Sequence, residues 1–281
     1  MALNSLRSYN TDVVEGGNSI TSTFRKTSAA ATTAGVWCDM STMPGNPVTN
    51  FYASSPLVAA TLLSREGIYH GANQSPSQKY LKRITAMGTV GPTNLLLLDY
   101  LLYYPFIDGD STDEQFLDNT VTLPRYTTGA NVKAFVVAQG SYVGGAQFLI
   151  NYTNQDGVTG RLSQLCTSNV STTSGTLISS GIAAGTFGWN IPLQNGDTGI
   201  RSVESFTFLS ANGGIFALVL AMDLGHVAIR EANVPAEKDF LMDTGLKMPE
   251  IQDGAYLNFI ALSNATIAAQ PFYGSLQIVW G

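Results

Sequence analysis

Arg201-Ser202-Val203-Glu204-Ser205-Phe206-Thr207-Phe208-Leu209-Ser210-Ala211-Asn212-Gly213-Gly214-Ile215-Phe216-Ala217-Leu218-Val219-Leu220-Ala221-Met222 is the stretch on which the fold turns. Two runs rich in Phe, Val, Leu and Ile flank Ala211-Asn212-Gly213-Gly214, and Asn and Gly accept the positive φ angles of tight turns. On the first run Phe206 and Phe208 share a period-2 face with Glu204, with Val203 and Leu209 on the other. The second run, Ile215–Met222, is apolar on both faces, as in a strand buried between two layers. Its β-branched and aromatic content and the Asn-Gly-Gly turn argue against a helix. The stretch reads as a central hairpin of a β-sandwich.

Working outward, strand patterns dominate the second two thirds of the 281 residues. Leu95–Ile107 reads as a buried strand. Alternation is clear in Val132–Val137 and Gln147–Tyr152, and Asn154-Gln155-Asp156-Gly157 turns the chain back into Val158–Cys166. Residues 167–180 read as a Ser/Thr-rich loop with a short strand at Thr176–Ile178. After Asn233–Gly254 come two closing strands. In the last, Phe272, Leu276, Ile278 and Trp280 point one way and Ser275 and Gln277 the other. About eight strand candidates, with no repeat and no strand–helix alternation, predict a mainly β, antiparallel sandwich or jelly roll over residues 93–281.

The front of the chain differs. Residues 1–53 are rich in Ser, Thr, Asn, Gly and Ala, with a nearly low-complexity run at residues 28–34, and no apolar period persists. They predict an extended N-terminal arm. Trp37, Met40, Met43, Phe51 and Tyr52 are unfavourable to expose, so the arm is expected to lie along a neighbouring subunit or to wrap its own domain. Residues 54–92 predict two short helices. Ser55-Pro56 opens the first and Gly67 ends it, while Ser75-Pro76-Ser77-Gln78 opens a second reaching about Met87, with Tyr80, Ile84 and Met87 on one side. His70, in the Gly-rich link between them, reads as a turn-packing residue.

The chain is 44% hydrophobic, carries only 12% charged residues and has a formal charge of −6. Soluble domains carry about 25% charged residues. The shortfall suits a surface covered by other chains, since interface cores are poor in Lys, Glu and Asp. An acidic chain without a basic stripe is not built for nucleic acid. The first residues lack the apolar core of a secretory signal, and no apolar run is long enough to span a membrane. Synthesis in a cytoplasm is therefore expected. Cys38 and Cys166 form neither a disulfide framework nor a zinc pattern. The sequons at Asn73, Asn151, Asn169 and Asn264 carry little meaning without secretion.

Catalytic signatures are lacking. Asp108-Gly109-Asp110-Ser111-Thr112-Asp113-Glu114 begins like a calcium loop, with Asp108, Asp110 and Glu114 as the candidate Ca²⁺ ligands. The sixth position is Asp113 in place of Gly and the twelfth is Asn119 in place of Glu, so the loop departs from an EF-hand. A solvated loop whose carboxylates cap turns fits the same residues. Asp99, Glu204 and Asp223 interrupt apolar strands and are the only carboxylates to weigh for a hydrolase, with Glu204 expected to pair with Arg201. His226 has no GxSxG partner, and neither a P-loop nor a GxGxxG follows a strand, so no cofactor is expected. Trp189 in Gly185–Trp189, beside Gln194–Gly199, could stack a sugar.

Several segments resemble those of virion structural proteins of tailed bacteriophages. They are GNPVTNFYASSPLVAA (residues 45–60), LLLLDYLLYYPFIDGDSTDEQFLDNTVTLPRY (95–126), NYTNQDGVTGR (151–161), IPLQNGDTGIRSVES (191–205) and the terminal YGSLQIVWG (273–281). The resemblance implies a non-enzymatic β-sandwich component of the particle, a capsid decoration or cement protein. Its partners would be the major capsid protein and copies of itself, trimers suiting three-fold positions. Trp37, Met40, Phe51 and Tyr52 would make the contacts, burying roughly 1,000 Å² or more. The alternative is a tail, baseplate or receptor- and glycan-binding module.

Overall fold

In a computed structural model, residues 3, 5–28, 31–171, 173–181, 185–244 and 247–281 are described. Ala29, Ala30 and Thr172, which belong to two of the polar runs above, lie outside them. The strands are β1 (Ser19–Thr27), β2 (Trp37–Asp39), β3 (Gly45–Asn46), β4 (Lys79–Gly88), β5 (Thr93–Asp108), β6 (Gln115–Phe116), β7 (Lys133–Ala138) and β8 (Gln147–Asn154). They continue with β9 (Arg161–Leu162), β10 (Cys166–Thr167), β11 (Ile200–Phe208), β12 (Ile215–Ile229), β13 (Ala236–Asp239), β14 (Glu250–Ile251), β15 (Leu257–Ser263) and β16 (Pro271–Trp280). Two short α-helices, α1 (Leu6–Tyr9) and α2 (Phe240–Thr244), are accompanied by a π-helical stretch at Asn10–Glu15 and 3-10 turns at Met40–Thr42 and Ser64–Glu66.

The strands form three antiparallel sheets, so the mainly β sandwich expected from the sequence is what the chain adopts. The central sheet runs β2-β15-β5-β12-β7. Its spine is the pair β5 and β12, 16 and 15 residues long. Most of β5 and the Phe216–Ala221 half of β12 are buried on both faces because both faces are covered there. From β12, Phe216, Leu218 and Leu220 enter one core, while Leu224, Val227 and Ile229, further along the same face, enter another. Met222 packs against both. Two sheets therefore sit side by side on one face of the spine. The sheet β10-β8-β11-β6 covers one half and β13-β4-β16-β1-β3 the other. The opposite face of β12 carries Ala217, Val219 and Ala221, covered by Tyr52, Leu177 and other irregular segments in place of a sheet.

The central stretch is thus not a hairpin. β11 pairs with β8 and β6, β12 with β5 and β7, and the Asn-Gly-Gly turn carries the chain from one layer to the other. Gly213 and Gly214 have φ of 66° and 78°, and a Cβ on Gly214 would lie 2.7 Å from the Ser141 carbonyl oxygen. Asn212 is buried, and its Oδ1 accepts from the Gly144 amide (2.9 Å) and Ser168 Oγ (3.1 Å). The corner is fixed by these long-range bonds, which the local turn signal does not reveal. Asn212→Ala should lower the unfolding free energy by about 1–3 kcal/mol, because two donors lose their acceptor. A urea titration with an unchanged midpoint would contradict this. A register shift between Val203 and Ser205 turns Val203 inward with Phe206 and Phe208, so Glu204 does not share their face.

Both helices expected in residues 54–92 are absent. Residues 79–88 form β4, which aligns with β16 from Gly88↔Phe272 to Lys79↔Trp280 and buries Leu81, Ile84 and Ala86. Pairing on both edges outweighs the capping pattern at Ser75. In the other segment Leu57 has φ 58°. Ala60 exchanges two 2.9 Å backbone bonds with Tyr103, so residues 57–60 cover the part of β5 beyond the end of β15. A single 3-10 turn at Ser64–Glu66 remains.

The front fifty residues wrap their own domain. β1 aligns with β16 from Ser19↔Val279 to Thr27↔Pro271, and Phe24, Met40 and Met43 fill the core that Leu224, Val227 and Ile229 enter. Trp37, Met40 and Tyr52 are thereby occupied within the chain: Met40 and Tyr52 are fully buried and Trp37 packs against the cluster of Tyr52, Leu177 and Val219 on the opposite face of β12. Of the four residues expected at a contact, Phe51 alone stands exposed, at 74%.

Candidate interaction surface

Phe51 is presented by a strap, residues 43–52, that is tied down from beneath. Asp39 ends β2 with its side chain fully buried. It accepts from the Ser41 amide (2.8 Å), Ser41 Oγ (2.7 Å), Tyr52 OH (2.5 Å) and Tyr100 OH (2.7 Å). Burial pushes the Asp39 carboxyl above its usual range, and these four donors pull it back. Lys26, buried on β1, donates to the carbonyls of Met43 (2.8 Å) and Pro47 (2.7 Å). Burial lowers its ammonium to about 8, partly offset by Asp39. At the tip, the Tyr52 amide donates to Asn50 Oδ1 (3.0 Å) and Gln139 Nε2 to the Phe51 carbonyl (2.8 Å). The Asn50 amide, the Phe51 carbonyl and the Tyr52 amide are each hydrogen-bonded, so the ring projects from an anchored base.

The ring stands beside a groove of about 380 Å³ lined by Val48, Leu62, Leu63, Glu66, Tyr103 and Tyr256 among others. Val48 and Leu63 are 58% and 46% exposed. Three large apolar side chains thus share one rim, where isolated exposed hydrophobes would need no explanation. Two further exposed apolar side chains, Leu162 and Phe116, flank the polar outer face of β8 and β11. There the register places Leu162, Asn151, Ser205 and Phe116 in one row across four strands, and Phe116 is 71% exposed.

The residues considered for catalysis are not brought together. Asp99 is fully buried under Arg125, whose Nε and NH2 lie 2.9 and 2.6 Å from its two oxygens. Glu204 accepts from Thr153 Oγ1 (2.6 Å) and Ser202 Oγ (2.8 Å) and makes no pair with Arg201, whose Nε donates to the Thr128 and Gln155 carbonyls. Asp223 accepts from the Gly225 amide (2.8 Å). His226 borders a cleft of about 630 Å³ between the end of β12 and β13, among Arg230, Glu231, Glu237 and Lys238.

Nor do Asp108, Asp110 and Glu114 converge on a metal. Asp108 Oδ1 folds back onto the Asp110 amide (2.9 Å), Glu114 turns to Ser205 Oγ, and Gln115 closes the loop with two bonds to the Asp108 backbone. Among the described residues no group of three His, Cys, Asp or Glu side chains could hold an ion. Trp189 is half-buried against Phe135, with ring centroids 6.1 Å apart. Cys38 and Cys166 are free and buried. His70 is buried, with its ring nitrogens near Lys79 Nζ (3.0 Å), the Ala255 carbonyl (3.0 Å) and Ser64 Oγ (3.1 Å), partners that the local sequence does not signal.

No family model matches the chain, and no curated protein matches it. Among solved structures, a D431N mutant VP2 protein of infectious bursal disease virus, from derived T=1 particles, is aligned at 11% identity. The alignment covers 93% of this chain and 77% of that one with a TM-score of 0.17, too low to carry an argument about fold or function. No helix among the described residues is long and apolar enough to cross a membrane.

Proposed function

We propose that the chain is a non-enzymatic structural subunit of a bacteriophage particle, a decoration or cement protein of the head, that seats on the shell through the Phe51 groove. The observation that carries this reading is Phe51 itself: a 74% exposed aromatic on a strap anchored by Lys26, Gln139 and the Ser41 carbonyl, beside Val48 and Leu63. A large aromatic held rigid at an apolar rim has the character of an interface hot spot. The low share of charged residues, 12%, fits a surface meant to be covered. The two fully buried acids support the same reading: Asp39 is engaged by Ser41, Tyr52 and Tyr100, and Asp99 by Arg125. The partner at this surface is the major capsid protein, with further contacts to copies of the same chain.

Phe51→Ser tests the surface without touching the core, because the ring is exposed. In co-sedimentation with emptied phage heads, the variant should bind at least about 30-fold more weakly than wild type, the loss expected of a hot-spot side chain. Equal binding by both proteins would remove the groove from the interface. Failure of both to bind would remove the head assignment.

A further inference from the structure

We propose that His70, Lys79 and Asp253 form an acid-sensitive latch that holds the Ser64–Ala72 segment, and with it the Leu63–Glu66 wall of the Phe51 groove, in place. This deepens the reading of the groove as an interaction surface and rests on it for its biological meaning. The latch itself stands on geometry. His70 is buried, and its Nδ1 lies 3.0 Å from Lys79 Nζ. Lys79 has only protons to give, so Nδ1 is the unprotonated nitrogen and Nε2 carries the hydrogen. That hydrogen points to the Ala255 carbonyl at 3.0 Å, with Ser64 Oγ 3.1 Å from the same nitrogen. Lys79, also buried, completes its shell with Asp253 Oδ1 (2.8 Å) and the Ala72 carbonyl (3.4 Å). One imidazole therefore joins the start of the segment, its end, β4 and the turn before β15.

The charged groups that face the ring are Lys79 from β4 and Asp253 from that turn; its own segment adds Arg65 and Glu66. A second proton on the ring would set an N–H against the ammonium at 3.0 Å, two cations sharing one partly exposed carboxylate. Burial, then the Lys79 charge, lower the ring to about 4 in the closed form. Released into water the ring would titrate near 6.5. A depressed value in the closed form means that the latch is at full strength above pH 6.5 and weakens as pH falls toward 4. What loosens is the 3-10 turn at Ser64–Glu66 and the chain to Ala72, which is otherwise anchored by the Ile68 amide donating to the Leu257 carbonyl and by the Ile68 side chain, buried in the core.

Hydrogen exchange on the free chain, corrected for intrinsic rates, tests the latch. Opening of residues 64–72 should rise roughly 30-fold between pH 7.5 and pH 5 in wild type, while His70→Gln should show no such change. The His70 ring signals, followed by NMR in the wild-type fold, should titrate well below 6.5, a readout that does not depend on the variant. Protection that is independent of pH, an equal rise in His70→Gln, a rise spread evenly over the whole chain or a ring titrating near 6.5 would each overturn the latch. Because no particle is present, these outcomes leave the head-binding result of Phe51→Ser separate.

Discussion

A chain beginning at Ser54 should show no cooperative unfolding transition in urea. Its loss would strip β16 of the whole length of β1 and leave an apolar strand edge open. It would also take Phe24, Met40 and Met43 from the core of Leu224, Val227 and Ile229, and Tyr52 from the cluster on the opposite face of β12. Burial of each such side chain is worth about 1.5–3 kcal/mol, and the four together rival the ~5–15 kcal/mol that holds a typical domain folded. Tyr100 would lose the Asp39 carboxylate to which its hydroxyl donates. Far-UV circular dichroism through a urea titration is the measurement. A truncated chain with the wild-type midpoint would show that the front segment is a detachable arm after all.

The second large effect belongs to Arg125. Arg125→Ala should lower the unfolding free energy by about 3–5 kcal/mol, because it leaves the Asp99 carboxylate uncompensated in a low-dielectric interior. Asp99 has no exposed surface, and besides the guanidinium it has only the Tyr256 amide, at 3.1 Å. Arg125 also donates to the Tyr100 carbonyl at 3.1 Å, so the substitution orphans an acceptor on β5. Burial already pushes the Asp99 carboxyl upward, and Arg125 is the main force pulling it back. In the variant the carboxyl rises further. A raised value in the fold makes the neutral form the stable one, so the variant should lose least at acid pH and progressively more as pH rises through that value. Adding Asp99→Asn should recover part of the loss at pH 7. Urea titrations of wild type and both variants at pH 4.5 and pH 7 decide it, and an equal loss at both pH values would contradict the account.

Much of the layer structure was legible from residue patterns, and the failures have particular causes. Leu95–Ile107 and Ile215–Met222, apolar on both faces, announced strands buried on both sides, and these are the spine. What local pattern could not supply was the partner of each strand. Asn212-Gly213-Gly214 signals a sharp turn equally well whether the next strand returns alongside or crosses to the facing sheet, and here the Asn212 contacts at Gly144 and Ser168 make it cross. The bulge at Val203–Ser205 is invisible for the same reason: strict alternation put Glu204 beside Phe206, whereas the extra residue resets the face. Capping residues at Ser75 suggested a helix where β16 supplies a strand's neighbour.

The front segment was harder still. Lacking a period, it looked like an arm, but the residues that hold it are single, widely spaced anchors: Lys26 in a ring of carbonyls, Asp39 among two tyrosines and a serine, Phe24 in a core. Such anchoring leaves no periodic trace. The same argument that found Trp37, Met40, Phe51 and Tyr52 too apolar to expose was correct for the three that are covered within the chain. Phe51 was grouped with them on the same ground, and its ring is the one left uncovered.

The claim that this chain is a shell component is tested most directly by counting it in purified phage particles, by quantitative mass spectrometry, for wild type and Phe51→Ser. The account predicts many copies per particle in wild type and a large loss in the variant, with both chains equally abundant in the infected cell. Absence of the wild-type chain from particles, or equal incorporation of the variant, would contradict it.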